Sequence, residues 1–271
     1  MMNRRLFAGS IAALSASALL AQRAAAAASP PTRKSVSAPP VRNVVLVHGL
    51  FADGSSWGKV IPILQRAGLR VSAVQNPLSS FDDDVAATRR VLALQDGPTV
   101  LVAHSYGGMV ISEAGTDPKV ASLVYVAARA PDAGEDYGAL ARRYPTPPAS
   151  AGIRWGADGY GELSEQAFLR DFAGDLDPAE ARAYWAVQGR MARATPAAKT
   201  TVAAWRARPS WYAVSTQDRT IDPGLQRYVA RRMNATTVEL ASSHVSLLSH
   251  PQEVAMLILD AAGASDPAGA R

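Results

Sequence analysis

Val100-Leu101-Val102-Ala103-His104-Ser105-Tyr106-Gly107-Gly108 runs from an aliphatic stretch into a serine and then a glycine pair. An unbroken aliphatic run reads as a strand buried on both faces, the pattern of parallel sheets. The small residues from Gly107 to Gly115 read as a helix starting at once behind the serine. Strand, sharp turn and helix in that order form the setting of a nucleophile elbow, where the turn is tight enough that its flanking positions must be small. Gly107 fits the G-x-S-x-G pattern, whereas Ala103 stands in place of its first glycine, a departure of one methyl group. The same residues would also suit an ordinary strand-to-helix turn with an incidental serine, so the chemistry has to be sought in partners elsewhere.

Outward from this turn, strands and helices alternate. Strands are predicted at 44–47, 71–74, 99–103, 122–127, 210–215 and 236–240, with helices at 57–66, from Asp82, at 107–115, 223–233 and 251–262. This order predicts an α/β fold with a mostly parallel sheet of about six strands and helices on both faces. Residues 131–206 hold no good strand and are too many for a simple crossover. They are read as a small helical cap, with helices at 164–172, 178–191 and 196–206. The folded domain is expected over 41–271.

A serine hydroxyl needs a base within hydrogen-bond reach. The chain has four histidines. His104 adjoins Ser105 and should point away from it, His48 ends the first strand and should brace the loop there, and His250 precedes Pro251 as a surface or capping residue. His244, in the loop after the last strand, remains as the base. The imidazole in turn needs a carboxylate to fix its tautomer, and chain order in this arrangement is serine, acid, histidine. Asp218 follows the fifth strand directly. Asp222 is its rival but precedes Pro223 and reads as a helix N-cap. Backbone donors for a developing oxyanion are expected at Tyr106, next to the serine, and in the loop after the first strand, at Leu50 ahead of Phe51.

These residues resemble those of the α/β-hydrolase superfamily, in the branch of plant methyl-salicylate esterases, hydroxynitrile lyases and their bacterial esterase relatives. The likeness runs from about Val44 to Leu259 and rests on Leu46-Val47-His48-Gly49, Gly107-Gly108-Met109, Ala130-Pro131-Asp132, Asp218-Arg219-Thr220-Ile221 and Ser243-His244. It implies the fold, the roles of the triad and a cap, and leaves the substrate open. In the lyases a threonine replaces the glycine after the strand-end histidine and a lysine follows the catalytic histidine. Gly49 and Val245 occupy those positions here, which favours ester hydrolysis. The expected function is a serine esterase cleaving a small carboxylic ester through an acyl-enzyme. A lyase, lactonase, cofactor-free perhydrolase or non-catalytic binding protein on the same scaffold is the alternative.

Composition narrows the classes further. Absence of cysteine excludes thiolate catalysis and disulfides. Arg4, Arg5 and Arg23 lie within residues 1–28, which hold no acid, so the remainder carries 25 basic against 23 acidic side chains and makes no case for nucleic acid. No cofactor or metal is expected. The partner expected is a small-molecule ester, with no membrane association of the mature form, and a homodimer stays open. Arg4-Arg5, the apolar Ala8–Leu20 and the alanine run Ala24–Ala28 read as a twin-arginine-like signal peptide over 1–28. A Pro/Ser-rich linker follows over 29–40, and the expected location is the periplasm or the exterior. The cap aromatics Trp155, Tyr160, Phe168, Phe172, Tyr184, Trp185 and Trp205 either line an apolar pocket or form the cap's own core.

Overall fold

Every residue of Asn43–Val47 (β1) is buried, and so is every residue of Thr99–His104 (β3). A strand buried along its whole length must be covered on both faces, which fixes a layered arrangement. The computed structural model describes residues 41–263, so the proposed leader and linker lie outside the described residues. In chain order, β1 is followed by a 3₁₀ turn at Gly54–Trp57, α1 (Ile61–Arg66), β2 (Arg70–Ala73), α2 (Phe81–Ala93), β3, α3 (Gly107–Ala114) and β4 (Val120–Val126). After the cap come β8 (Ser210–Ser215), α7 (Pro223–Arg232), β9 (Thr236–Leu240), α8 (Ser246–Ser249) and α9 (Pro251–Ala261). The helix expected over 57–66 starts only at Ile61, because Pro62 lacks an N–H and is tolerated only in a first turn.

The six strands pair in the order β2-β1-β3-β4-β8-β9, all parallel. The chain moves outward from β1 to β2, then returns past β1 to β3 and proceeds the other way. The strand order therefore reverses between β1 and β3, where loops leaving the carboxyl ends diverge and open a crevice. Helices α2 and α3 pack together, and α1 packs with α9, so that the two groups cover the sheet. The edge strands carry polar residues, Arg70 on β2 and Thr236, Thr237 and Glu239 on β9, which blunt edge pairing.

The cap corrects one expectation. Besides α4 (Tyr137–Ala141), α5 (Glu165–Ala167) and α6 (Pro178–Ala186), residues 131–206 contain three strands: β5 (Ile153–Trp155), β6 (Tyr160–Leu163) and β7 (Met191–Ala192). They form an antiparallel sheet of their own. β5 and β6 are a hairpin turned by Gly156-Ala157-Asp158-Gly159, with Gly159 at φ +81°, a conformation glycine adopts freely. That glycine-flanked loop was the legible signal, but strands of two to four residues fall below the length at which alternation can be recognised. Of the expected cap helices, 164–172 becomes α5 with a π-helical turn at Phe168–Phe172, 178–191 stops at Ala186, and 196–206 dissolves into 3₁₀ turns at Thr195–Ala197 and Ala204–Arg206.

Candidate active site

The carboxyl end of β3 delivers Ser105 at φ +55°, a strained value for a residue with a side chain. Its surroundings hold it there. The Ser105 N–H donates to the Val126 carbonyl (3.1 Å), and its own carbonyl accepts the N–H groups of Gly108 (3.0 Å) and Arg129 (2.9 Å). A side chain at Gly108 would place Cβ 2.1 Å from the Arg129 carbonyl oxygen, and one at Gly107 would come 2.8 Å from that of His48. Both glycines are demanded by backbone passing close to the turn. Gly49, on the loop after β1, is equally constrained, because its Cβ would lie 2.6 Å from that of Ser105.

Two further loops at the same sheet edge bring His244 and Asp218 to the serine. His244 Nε2 stands 2.8 Å from Ser105 Oγ, and His244 Nδ1 stands 2.6 Å from Asp218 Oδ2. The carboxylate only accepts, so the proton lies on Nδ1 and the Nε2 lone pair faces the serine hydroxyl. Both side chains are completely shielded from solvent. Asp218 Oδ1 accepts the N–H groups of Thr220 (2.7 Å) and Ile221 (3.0 Å), which fixes the carboxylate plane. Asp222 sits instead at the N-cap of α7, its side chain accepting from Gly224 and Leu225.

Two residues that sequence reasoning missed complete this cluster. Gln226, buried on α7, donates from Nε2 to Asp218 Oδ2 (2.7 Å) while its Oε1 accepts the Ser215 N–H (3.0 Å). It ties the acid to the end of β8. A glutamine inside an amphipathic helix gives no signal of such a role. His104 is the second. Its Nε2 donates to the His244 carbonyl (3.0 Å), and its ring lies 4.7 Å from that of His244. Burial, with His244 close by, holds its pKa well below the ordinary histidine value, so it is a neutral brace. Its place next to the serine was visible, but its contact with a loop 140 positions away was not.

The other histidines sit where their neighbours require. His48 donates from Nδ1 to the Gly49 carbonyl (2.8 Å) and accepts the Asn76 N–H at Nε2 (2.9 Å), joining the loops after β1 and β2. Burial lowers its pKa. His250 holds the N-cap position of α9 without a capping hydrogen bond. Leu50, Phe51 and Tyr106 are buried on the two turns flanking Ser105, and among the described residues their main-chain N–H groups have no acceptor.

A narrow apolar pocket adjoins the cluster, lined in part by Phe51, His104, Phe168, Phe172, Tyr184 and Val245. Phe172 packs 5.0 Å from the His244 ring. Three of the seven cap aromatics thus face the site. The others serve the cap itself: Trp155 lies under Arg193, Tyr160 under Arg190, Trp185 donates to the Leu163 carbonyl, and Trp205 donates to that of Pro131. Among the described residues no cluster of histidine, aspartate and glutamate is arranged to hold a metal ion, and no helix is long and apolar enough to cross a membrane.

Comparison with known proteins places these features in a wider set. The model of the alpha/beta hydrolase family matches residues 44–257. The alpha/beta hydrolase nvfD of Aspergillus novofumigatus is 29% identical over 246 residues, covering 81% of this chain and 96% of that protein. The carbendazim hydrolyzing esterase of a Nocardioides species is 34% identical over 125 residues, covering 40% of this chain and 51% of that one. Among solved structures, polyneuridine aldehyde esterase superposes with a TM-score of 0.69 at 21% identity, over 81% of this chain and 98% of its own.

Proposed function

The chain belongs to the α/β-hydrolase family, and from that premise we propose that it is a carboxylic-ester hydrolase with Ser105, His244 and Asp218 as its catalytic triad. The observation that carries the proposal is His244 bridging Ser105 Oγ at 2.8 Å and Asp218 at 2.6 Å. In the reaction, His244 Nε2 takes the hydroxyl proton as Ser105 Oγ attacks the ester carbonyl. The tetrahedral oxyanion is held by the N–H of Tyr106 and that of Leu50, with Phe51 as the second choice on the same loop. His244 returns the proton to the leaving alcohol, and an acyl-serine remains. Water, deprotonated by His244, then attacks the acyl group and releases the acid and free Ser105. Asp218 stabilises the imidazolium in both halves.

Support for hydrolysis over cyanohydrin cleavage comes from the cations. Stabilising a departing cyanide needs a nearby positive charge. Among the described residues, Lys59 pairs with Glu180, Lys119 donates to the carbonyls at the end of α2, and Lys199 is exposed on the cap. None lines the pocket beside His244. The test is a panel of nitrophenyl esters of increasing acyl length, with mandelonitrile alongside. Hydrolysis that Ser105→Ala abolishes, with no cyanide above background, is the expected result. Cyanide release dependent on Ser105 would replace the esterase reading by the lyase one.

We propose in addition that residues 1–28 direct export and are removed, leaving a mature chain in the periplasm or outside the cell. Arg4-Arg5 and the alanine run support this. N-terminal sequencing of the native protein should return a residue between about Ala25 and Pro31. Met1 or Met2 would overturn it.

A further inference from the structure

Arg129 follows β4 on the turn Ala127-Ala128-Arg129, anchored by its main-chain N–H to the Ser105 carbonyl at 2.9 Å. Its half-buried side chain runs beneath the cap. Nη1 donates to the Pro196 carbonyl (3.0 Å) and touches Met109 Sδ (3.8 Å), and the guanidinium stands 5.3 Å from the ring centroid of Tyr137. Arg170, Arg206, Arg219 and Arg232 each pair with an acid, but among the described residues Arg129 has no carboxylate partner. Its Nε and Nη2 donate to nothing there. Burial pulls its pKa down, yet a guanidinium stays protonated at any working pH. A half-buried guanidinium without an anion keeps donors free for one.

Tyr137 repeats the anomaly beside it. It is 5% exposed, and among the described residues its Oη has no hydrogen-bond partner. Burial raises its pKa, so the phenol remains a donor. Both side chains line one chamber of about 230 Å³ beneath the cap. The rest of its wall is largely apolar, including Pro145, Pro147 and Leu225. Asp222 also borders it, with its Oδ1 accepting the N–H groups of Gly224 and Leu225, so one negative charge stands at the chamber's edge. The chamber shares no lining residue with the pocket beside His244, and it backs onto Asp218 through Thr220 and Ile221.

We propose that this chamber is a second binding site, in which Arg129 and Tyr137 hold the carboxylate of an apolar organic acid. A planar guanidinium with free donors fits a carboxylate at two points, and the phenol supplies a third donor. Apolar walls suit a hydrocarbon body. A phosphate dianion would bring more charge than one guanidinium offsets, with no lysine lining the chamber. The site does not depend on the ester reaction, because charge and shape alone define it. The carboxylate is either part of the substrate, as in the half-ester of a dicarboxylic acid, or belongs to a separate acid.

The test is calorimetric titration of the full chain carrying Ser105→Ala, which removes turnover, with benzoate as probe and benzamide and inorganic phosphate as controls. Benzoate should bind at one site, with benzamide and phosphate weaker by about tenfold or more. Arg129→Gln should weaken benzoate by about tenfold or more, and Tyr137→Phe, which removes a single oxygen, by about threefold. Arg129→Lys keeps the charge and loses the fork, and should fall between wild type and Arg129→Gln. Together with Tyr137→Phe it keeps the test open should Arg129→Gln not fold. Unchanged benzoate affinity in Tyr137→Phe and Arg129→Lys, or benzamide or phosphate binding as tightly as benzoate, overturns the proposal. In the active chain, competitive inhibition of nitrophenyl acetate hydrolysis by benzoate would assign the carboxylate to the substrate. Binding without competition would assign it to a separate acid.

Discussion

His244 hydrogen-bonds Ser105 on one side and Asp218 on the other, and Asp218 is held by two main-chain N–H groups and by Gln226. If these side chains act as a unit, Ser105→Ala and His244→Ala should each lower kcat by about 10⁴-fold or more without unfolding the chain. Asp218→Asn should cost a comparable or smaller factor, because the amide favours the wrong imidazole tautomer. Asp222→Ala is the control. It removes a helix cap, so it should lower stability by about 0.5–2 kcal/mol and leave kcat unchanged. Steady-state kinetics with a nitrophenyl ester, alongside thermal melts, separate the two acids; the reverse ranking would exchange their roles. At this scale the sequence was informative wherever residue type and chain order restrict the choice. Of the two histidines after the last strand, His250 precedes Pro251 at a helix start and so leaves His244, and Pro223 marks Asp222 as a cap. Gln226 was invisible, and of His104 only its place beside Ser105 was visible, because their roles depend on contacts to Asp218 and to the His244 carbonyl, which residue type alone does not specify.

The elbow between β3 and α3 carries its geometry in its glycines. Gly108→Ala should destabilise the fold by about 1–3 kcal/mol or more, since the Cβ would meet the Arg129 carbonyl, an atom of the backbone that cannot rotate away. Ala103 is different. It is fully buried at the carboxyl end of β3 and accepts its methyl group without a strained φ. Restoring the motif's glycine by Ala103→Gly should therefore lower Tm by about 1–4 °C through lost strand rigidity, with kcat preserved. A rise in kcat would show that the methyl group obstructs the turn. The strands of the main sheet were readable because fully buried strands are continuous aliphatic runs. The cap was misread because its short strands, helical turns and loops are held by packing and by side-chain bonds such as Trp185 to the Leu163 carbonyl, not by a sustained period.

Across the whole molecule, stability will depend on pH through Asp84, which lies buried on α2. Its carboxylate accepts the Leu78 N–H (2.8 Å) and the Tyr106 hydroxyl (2.8 Å), but burial outweighs these bonds and pushes its pKa up to about 6 from 3.8. The folded chain therefore holds this proton more tightly than the unfolded chain. Its contribution to stability is full below about pH 4, declines between about 4 and 6, and stays lost above that. Asp84→Asn removes this slope. Acids with lowered pKa, such as the half-buried Asp132, push stability the other way over the acid range and are common to both chains. Urea unfolding of wild type and variant should thus give a stability difference that changes between pH 4 and 6 and is flat from 6 to 8; a flat difference throughout would remove Asp84 as the source. The sequence by itself determined the alternation of strands and helices, the sharp turn at Ser105 and the placing of Asp218 and His244 just after strands, because periodicity, glycine placement and residue type are local. Only the tertiary structure decided that Gln226 fastens Asp218, that Asp84 is buried under Tyr106, that the cap holds a small sheet, and that Arg129, among the described residues, lies without an acid beside Tyr137. Those facts depend on which distant segments pack together and on what that packing shields from water.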